Sequence, residues 1–389
     1  MTSKAFAAVL TPRGRGAVAV VRVWGPEALL VVDAAFRPGK RGRLADSRRG
    51  RLRVGRMGTG MGDEVVAVVL AGEPPEVEVH GHGGPAASEL VVAALVAAGA
   101  SACPPWAWAI HVGSSQLAAA AAIDLARAPT LRTAEILLDQ VDGALDAEVR
   151  RVLETLVDDP RAAIEGLDAL AGRSALGLRL VSGWRVVLAG RPNVGKSALM
   201  NALAGYERAI VDPTPGTTRD VVTARLALDG WPVELADTAG LRPTADPIEA
   251  AGVALARASQ SEADLLVLVL DGSEPLRDAD RALIDAHPGA VRVANKSDLT
   301  PAWDASAWVA LALSAEGGDG VDALASAIVA RLVTQLPLPL PPPGAGVPFR
   351  ATQVRAISRA RRWLNAGRPE AAARVLGRLL SARPRSRST

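Results

Sequence analysis

The chain of 389 residues contains very little cysteine and few aromatic residues. Its single cysteine, Cys103, excludes an internal disulfide framework and suits a reducing compartment. Aromatic residues make up 3% of the chain and hydrophobic residues 49%, so any core must consist of alanine, valine and leucine. The longest apolar runs, such as residues 265–270, are far too short to cross a bilayer, and the N-terminus lacks the layout of a secretory signal. We therefore expect a cytoplasmic protein of two or three domains that has no membrane partner.

Acidic residues are scarce at the C-terminal end of the chain. Residues 349–389 contain eleven arginines and one acidic residue, Glu370, which is a local charge of +10 in a chain of net charge +3. A second basic cluster occupies residues 37–56. Such segments can contact the phosphate backbone of RNA, and they can equally be solvated arginine-rich surfaces. Both interpretations stay open at the level of sequence.

The sequence divides into five segments. We predict a small N-terminal α/β domain over residues 1–112, because short β-like runs there alternate with one helix-like stretch. Residues 113–182 have helical spacing only, whereas strands and helices alternate over residues 183–336 as a doubly wound sheet requires. We predict that the proline-rich residues 337–348 form a stiff linker. Residues 349–389 are predicted to form a short helical remnant with a basic tail.

The sequence GRPNVGKS, Gly190–Ser197, follows an apolar strand and precedes a helix. It fits the G-x-x-x-x-G-K-[ST] pattern, whose backbone N–H groups surround the α- and β-phosphates of a nucleotide. Lys196 should reach the β- and γ-phosphates, and the Ser197 hydroxyl should bind Mg²⁺. Only four lysines occur in the chain, and two of them lie in nucleotide motifs. The residues expected to contact the nucleotide here are Asn193, Val194, Gly195, Lys196, Ser197 and Ala198.

Two further strand-to-loop motifs define the nucleotide. ELADTAGL ends a strand at Asp237, which should hold Mg²⁺ through water, and the Gly240 N–H should reach the γ-phosphate, with Thr238 and Ala239 beside it. In the Asn-Lys-x-Asp motif, formed by Asn295, Lys296 and Asp298, the carboxylate can accept two N–H bonds that guanine offers and adenine does not. These motifs, in this order, predict a GTPase domain.

Two loops complete the predicted site. The loop ALSAEGGDG places Ser314 and Ala315 where the backbone would contact the guanine O6 atom. The Pro/Gly-rich loop of residues 210–220 contains Thr218, our candidate for sensing the γ-phosphate and Mg²⁺. The position after Asp-x-x-Gly, where some GTPases have a water-orienting glutamine, is Leu241. Another group must therefore position the attacking water.

The motifs GRPNVGKS, PGTTRD, DTAGLRPTADPIEAAGVALARA and NKSD, together with the N-terminal TPRGRGAVAVVRVWGP and VEVHGHGGP, resemble the tRNA modification GTPase (MnmE/TrmE) family. This resemblance implies an N-terminal folate-binding-like domain that forms a homodimer, and a GTPase domain inserted between helical segments. It also implies tRNA or another RNA as a partner, a flavoprotein partner, and a role in modifying the wobble uridine.

The resemblance further implies activation by potassium. The Asn193 side chain would bind K⁺ together with backbone oxygens around Asp212, Thr214 and Thr217. Glu249 would act through water to position the nucleophile. The catalytic residues would then be Glu249, Lys196 and Asn193.

The sequence departs from the family at two places. It has no C-terminal Cys-x-Gly-Lys motif, and Gln116 stands where a folate-contacting lysine is expected. Arg22 and Glu78 match folate-contacting positions, but the sequence favours an edge-strand ion pair for them, so binding of formyl-tetrahydrofolate stays open. An alternative function is therefore a GTP-dependent regulatory switch, associated with RNA or ribosomes, that has lost the folate-linked chemistry.

Overall fold

The computed structural model divides the chain into two compact units, Met1–Ser114 and Ser115–Thr389. The structure describes residues 5–11, 14, 16–60, 62–112, 115–206, 223–237, 263–308 and 310–380. Within these residues no helix is both long enough and apolar enough to span a membrane.

The first unit is built on a seven-stranded sheet in its described part. The strands are β1 (Phe6–Val9), β2 (Val18–Trp24), β3 (Phe36–Pro38), β4 (Leu52–Met57), β5 (Asp63–Val69), β6 (Val77–His82) and β7 (Ser101–Ala102). Their order is β3-β4-β5-β6-β2-β1-β7, with β1 and β7 parallel and the other neighbours antiparallel. Strands β2 and β6 therefore lie inside the sheet and not at its edge.

Alternation of buried and exposed residues explains this sheet. Val21 and Val23 of β2 are buried, as are Val77 and Val79 of β6, so one face of the sheet carries a core of small side chains. Helices α1 (Ala28–Ala35) and α2 (Pro85–Ala97) contribute to the same core, and α3 (Pro105–Val112) follows β7. The small α/β domain predicted from the sequence is confirmed.

The second unit begins with four helices: α4 (Gln116–Leu125), α5 (Leu131–Val141), α6 (Ala144–Thr155) and α7 (Pro160–Gly177). Side chains cap three of their N-termini. Ser115 accepts from the Ala118 N–H at 3.0 Å, Thr130 forms a capping box with Thr133, and Asp159 caps α7.

Two C-terminal helices, α11 (Ala351–Asn365) and α12 (Pro369–Leu380), join this bundle and share its hydrophobic core. The chain that leads into them is held by polar contacts. The Gln140 amide donates to the Ala345 carbonyl at 3.1 Å and accepts from the Val347 N–H at 3.0 Å. Arg350 pairs with both carboxylate oxygens of Asp124, at 2.8 and 2.9 Å. The last residues of the proline-rich segment are therefore packed against α5.

Between these helical parts lies a six-stranded sheet with the order β13-β12-β11-β8-β10-β9, again in the described part. Its strands are β8 (Trp184–Ala189), β9 (Thr223–Leu228), β10 (Trp231–Asp237), β11 (Leu265–Asp271), β12 (Val291–Asn295) and β13 (Ala310–Ala312). Only β9 pairs antiparallel. The helices are α8 (Lys196–Tyr206), α9 (Asp278–Ala286) and α10 (Val321–Thr334).

This arrangement confirms the predicted P-loop GTPase domain between helical segments. The parallel strands β8, β10, β11 and β12 all end at one edge of the sheet, where a doubly wound fold binds its ligand. The finer domain boundaries predicted from the sequence remain predictions.

Candidate nucleotide-binding site

The loop after β8 makes a turn that requires unusual backbone angles. Gly190 has φ of +152° and Gly195 of +93°, and Asn193 lies in the left-handed region at +65°. A Cβ atom on Gly190 would come within 2.2 Å of the Val269 carbonyl oxygen in β11. Both glycines are therefore required by the conformation, and the loop lies tightly against the neighbouring strand.

Lys196 begins α8 with its ammonium group inside the loop. It donates to the Gly190 carbonyl at 2.9 Å and to the Arg191 carbonyl at 2.8 Å, and the residue is only 6% exposed. Burial lowers the pKa of this ammonium below its usual value, and the nearby charge of Asp237 opposes the change in part. The loop thus holds a buried cation, which favours binding of a polyphosphate anion.

Ser197 and Asp237 meet at the ends of β8 and β10. The Ser197 hydroxyl donates to the Asp237 carboxylate at 2.8 Å, and Asp237 is 3% exposed. A hydroxyl oxygen beside a carboxylate, next to the phosphate loop, fits Mg²⁺, which prefers oxygen ligands and takes few of them from the protein. Ser197 and Asp237 are therefore the residues of the described part that would hold Mg²⁺ beside the nucleotide.

Asn295 connects the phosphate loop to the loop after β13. Its side-chain amide donates to the Val194 carbonyl at 2.9 Å and accepts from the Ala315 N–H at 2.9 Å. The Asn295 amide also lies so close to Gly195 that a Cβ atom there would be 2.2 Å from its nitrogen. The two predicted halves of the site, one for phosphate and one for guanine, are thus joined by one buried side chain.

The loop after β13 is also ordered by its own hydrogen bonds. Ser314 is fully buried, and its hydroxyl accepts from the Gly317 N–H at 2.9 Å. Its N–H donates to the Asp319 carbonyl at 2.9 Å. Asp298, in contrast, is exposed and available to a base.

Two residues that sequence reasoning missed support this site. Asp271, at the end of β11, pairs with the Lys296 ammonium at 2.5 Å and accepts from the Ser273 N–H and hydroxyl. Burial alone would raise the pKa of Asp271, but the Lys296 and Ser273 hydrogen bonds and the Lys296 charge lower it overall. The signal in the sequence is its place directly after the apolar run that forms β11.

Arg191 is the second missed residue. Its guanidinium Nε lies 2.8 and 2.9 Å from the two carboxylate oxygens of Asp280, which is 1% exposed. Asp280 also accepts from the Arg277 N–H at 3.0 Å and so caps α9. The phosphate loop is thereby fixed to the start of α9.

In the first unit, Arg22 and Glu78 form a cross-strand ion pair of 2.6 Å between β2 and β6. Arg22 also pairs with Glu76 at 3.2 Å and lies over the Trp108 ring, 4.6 Å from its centroid. The Arg22 Nε atom is buried and has no hydrogen-bond partner among the described residues. The pair therefore belongs to a partly buried polar cluster, and both of its residues lie on interior strands.

Two histidines of the first unit, His80 and His82, have structural partners. The ring of His82 contacts Asp63 at 2.6 Å and that of His80 contacts Glu78 at 3.3 Å. Within the described residues no cluster of three potential metal ligands occurs. Burial raises the pKa of the Cys103 thiol, which suits a structural residue. Gln116 is the first residue of α4.

A number of the predicted site residues lie outside the described part of the chain. They are Asp212, Thr214, Thr217, Thr218, Thr238, Ala239, Gly240, Leu241 and Glu249.

Comparisons with known proteins cover both units. Residues 185–296 match a family described as "50S ribosome-binding GTPase", and residues 5–105 match "GTP-binding protein TrmE N-terminus". A tRNA modification GTPase MnmE from Symbiobacterium thermophilum is 38% identical over 381 residues, which covers 85% of this chain and 83% of the relative. The protein of that name from Thermus thermophilus is 36% identical over 393 residues, covering 92% and 88%.

A solved structure, the G domain of the T. maritima FeoB iron transporter, has a TM-score of 0.30 at 24% identity. The matched region covers 38% of this chain and 98% of the FeoB G domain.

The identity and coverage of the two MnmE relatives exceed what the GTPase motifs alone would produce, because they extend over both units. The site geometry agrees with them, since the phosphate loop, the Mg²⁺ residues and the guanine motif meet at one edge of the sheet. The chain belongs to the tRNA modification GTPase MnmE family, and it is an enzyme that binds GTP with Mg²⁺ and hydrolyses it.

Proposed function

We propose that this GTPase is activated by potassium and assists modification of the wobble uridine of tRNA. The observation that supports potassium activation is the conformation and the exposed side chain of Asn193. Its backbone is held at φ of +65° in the phosphate loop, and its exposed side chain makes no hydrogen bond within the described residues. Its amide oxygen is therefore available to a cation beside the phosphates.

A cation at this place would supply positive charge beside the phosphates. Leu241 cannot orient water, because its side chain has no hydrogen-bonding atom. Asn193 would hold K⁺ beside the phosphates, and the ion would supply positive charge against the negative charge that develops in the transition state. Its other ligands would be backbone oxygens around Asp212, Thr214 and Thr217, while Glu249 would position the attacking water through a second water.

GTP turnover in KCl and in NaCl of equal ionic strength tests this mechanism. We expect turnover at least tenfold faster in KCl, and Asn193→Ala should remove the difference. Asn365→Ala, which changes an exposed asparagine at the end of α11, is the matched control and should keep it. Equal rates of GTP turnover by the native protein in both salts would contradict the potassium mechanism.

The tRNA role is supported by the match of both units to relatives named tRNA modification GTPases. We propose that the chain acts as a homodimer through its N-terminal unit, together with a flavoprotein partner. Rescue of wobble-uridine modification in a strain that lacks its own family member is the direct test. A rescue failure with normal GTP turnover would exclude this role.

We propose that the N-terminal unit binds formyl-tetrahydrofolate. The buried Arg22 Nε without a partner, next to the Glu76 and Glu78 carboxylates, is a polar group that a pterin or carboxylate ligand could satisfy. We propose that Arg22 and Glu78 hold this cofactor, which would supply a one-carbon unit. Calorimetric titration with the cofactor should show binding that Arg22→Gln removes, whereas the exposed Arg51→Gln should not affect it.

A second candidate function is a GTP-dependent switch on RNA or ribosomes. It is favoured by the family description "50S ribosome-binding GTPase" that residues 185–296 match. Cosedimentation with large ribosomal subunits that depends on GTP, combined with failure of the rescue assay, would support the switch in place of tRNA modification.

A further inference from the structure

Helix α11 has two chemically different faces. Its inner face is buried in the helical bundle and consists of Gln353, Ile357, Ala360 and Leu364. Its outer face carries Arg355, Arg359 and Arg362, all of them exposed. Residues spaced by four and then three positions lie on one line of an α-helix, directly opposite the buried set. We call these three residues the arginine stripe.

The arginine stripe lacks the acidic partners that nearby arginines have. Arg350 pairs with Asp124, and Arg361 pairs with Asp168. No ion pair or hydrogen bond of the stripe side chains occurs within the described part of the chain, and α11 contains no acidic residue. Like charges four residues apart on a helix repel each other and destabilise it. An anionic partner would remove this cost.

The surroundings of the stripe indicate the chemistry of that partner. The polar residues Thr352, Ser358 and Asn365 are exposed on either side of it, and they can donate to phosphate or sugar oxygens. At the end of the helix, Arg368 lies over the half-buried Trp363 ring, 5.3 Å from its centroid. No large apolar side chain of α11 or α12 is among the exposed ones of the described residues. The face therefore suits a nucleic-acid backbone better than a lipid surface.

We propose that the arginine stripe binds the phosphate backbone of the tRNA substrate. The proposal rests on the tRNA role proposed above and deepens it by assigning the surface. The stripe extends about 10 Å along the helix axis, at about 1.5 Å per residue, so its guanidinium groups can follow consecutive phosphates of one strand. Phosphate contacts position RNA without reading its sequence, so the stripe supplies affinity and leaves base recognition to other parts of the complex.

The test measures binding of a fluorescently labelled tRNA transcript to the full chain by anisotropy, between 50 and 200 mM KCl. Each phosphate contact contributes about 0.7–0.9 to the slope of log K against log salt. We expect R355Q/R359Q/R362Q to reduce the magnitude of this slope by about 2–3 and to weaken binding at 50 mM KCl at least tenfold. R355K/R359K/R362K, which keeps the charge, should retain most of the slope.

The charge-matched control is R41Q/R48Q/R51Q, which removes three exposed arginines of the other basic cluster. It should bind tRNA within about twofold of the native chain. An equal loss in this control, an unchanged slope in the stripe variant, or no tRNA binding by the native chain would each overturn the proposal. If the stripe variant does not fold, single R355Q and R362Q variants should each reduce the slope by about 0.7–0.9.

GTP turnover in the same preparations separates this inference from the proposed function. None of the stripe residues lies in the nucleotide motifs, so turnover in KCl should match that of the native chain. If the native chain rescues modification, loss of tRNA binding and of rescue in the stripe variant, with normal GTP turnover, supports both proposals. Normal tRNA binding by the stripe variant together with full rescue would refute the proposal that the stripe binds tRNA, and it would leave the tRNA role of the chain intact.

Discussion

The side-chain amide of Asn295 donates to the Val194 carbonyl at 2.9 Å, although 101 residues separate them in the chain. The same side chain accepts from the Ala315 N–H. One buried amide therefore satisfies a carbonyl of the phosphate loop and an N–H of the guanine loop, so ordering of either loop favours ordering of the other.

Replacing Asn295 by alanine should disturb both loops at once. Each buried group that loses its partner costs about 1–3 kcal/mol, so the free energy of unfolding should fall by several kcal/mol and GTP affinity at least tenfold. Denaturant unfolding and nucleotide titration measure the two effects. Asn365→Ala, at an exposed position, should change neither, and a loss of stability with native GTP affinity would contradict the proposed coupling.

Gly195 should not tolerate even a methyl group. Its φ of +93° disfavours any side chain, and the added Cβ would lie 2.2 Å from the Asn295 amide nitrogen. We expect Gly195→Ala to weaken GTP binding at least tenfold because Asn295 must move away from the loop. Gly205→Ala in α8 is the matched control, since its Cβ would meet no atom of the described residues within 4 Å. That control should lose no stability, because alanine favours the helix more than glycine does, and it should bind GTP as the native chain does.

The ion pair of Arg191 and Asp280 should stabilise both the fold and the conformation of the phosphate loop. Asp280→Ala leaves the largely buried Arg191 guanidinium with only the more distant, half-exposed Glu274 carboxylate, which costs up to about 3–5 kcal/mol and frees the phosphate loop from α9. In a double-mutant cycle with Arg191→Met, the loss in the double variant should be smaller than the sum of the single losses. Strict additivity in unfolding and in GTP affinity would show that the pair is not coupled.

Glu274→Gln is the control for that cycle. Glu274 lies 3.8 Å from the Arg191 guanidinium and its side chain is 47% exposed. Its replacement should change the free energy of unfolding by no more than about 0.5 kcal/mol.

The sequence predicted those parts of the site that follow from local pattern. Apolar strands that end at Ala189, Asp237 and Asn295 are visible as runs, and parallel strands bring such ends to one edge of a sheet. The pairing of Arg191 with Asp280 could not be predicted, because 89 residues separate them and neither lies in a pattern that requires the other. Partner choice of this kind depends on packing, which single-sequence periodicity does not contain.

The C-terminal region illustrates the same limit. The amphipathic spacing of residues 351–380 predicts helix, but not that Arg350 would reach Asp124, which lies 226 residues earlier. That contact forms because α11 returns to the bundle that α4 begins. The sequence pattern therefore predicted helical structure here, and the tertiary arrangement determined where it packs.

Asp271 should make the stability of the GTPase domain depend on pH in a defined window. Its folded pKa lies below its unfolded value of 3.8, so its contribution is fully present above pH 3.8 and is lost as the pH falls through the folded pKa. Asp271→Asn should therefore lower the free energy of unfolding by about 1.5–3 kcal/mol near pH 7, the usual worth of a hydrogen bond to a charged group. The difference from the native protein should shrink as the pH falls below 3.8.

Asp285→Asn, at an exposed position of α9, controls for the loss of one negative charge. Its free energy of unfolding should stay within about 0.5 kcal/mol of the native value near pH 7. A deficit of Asp271→Asn that is the same at pH 3 and pH 7 would show that the Lys296 pairing does not stabilise the fold through its charge.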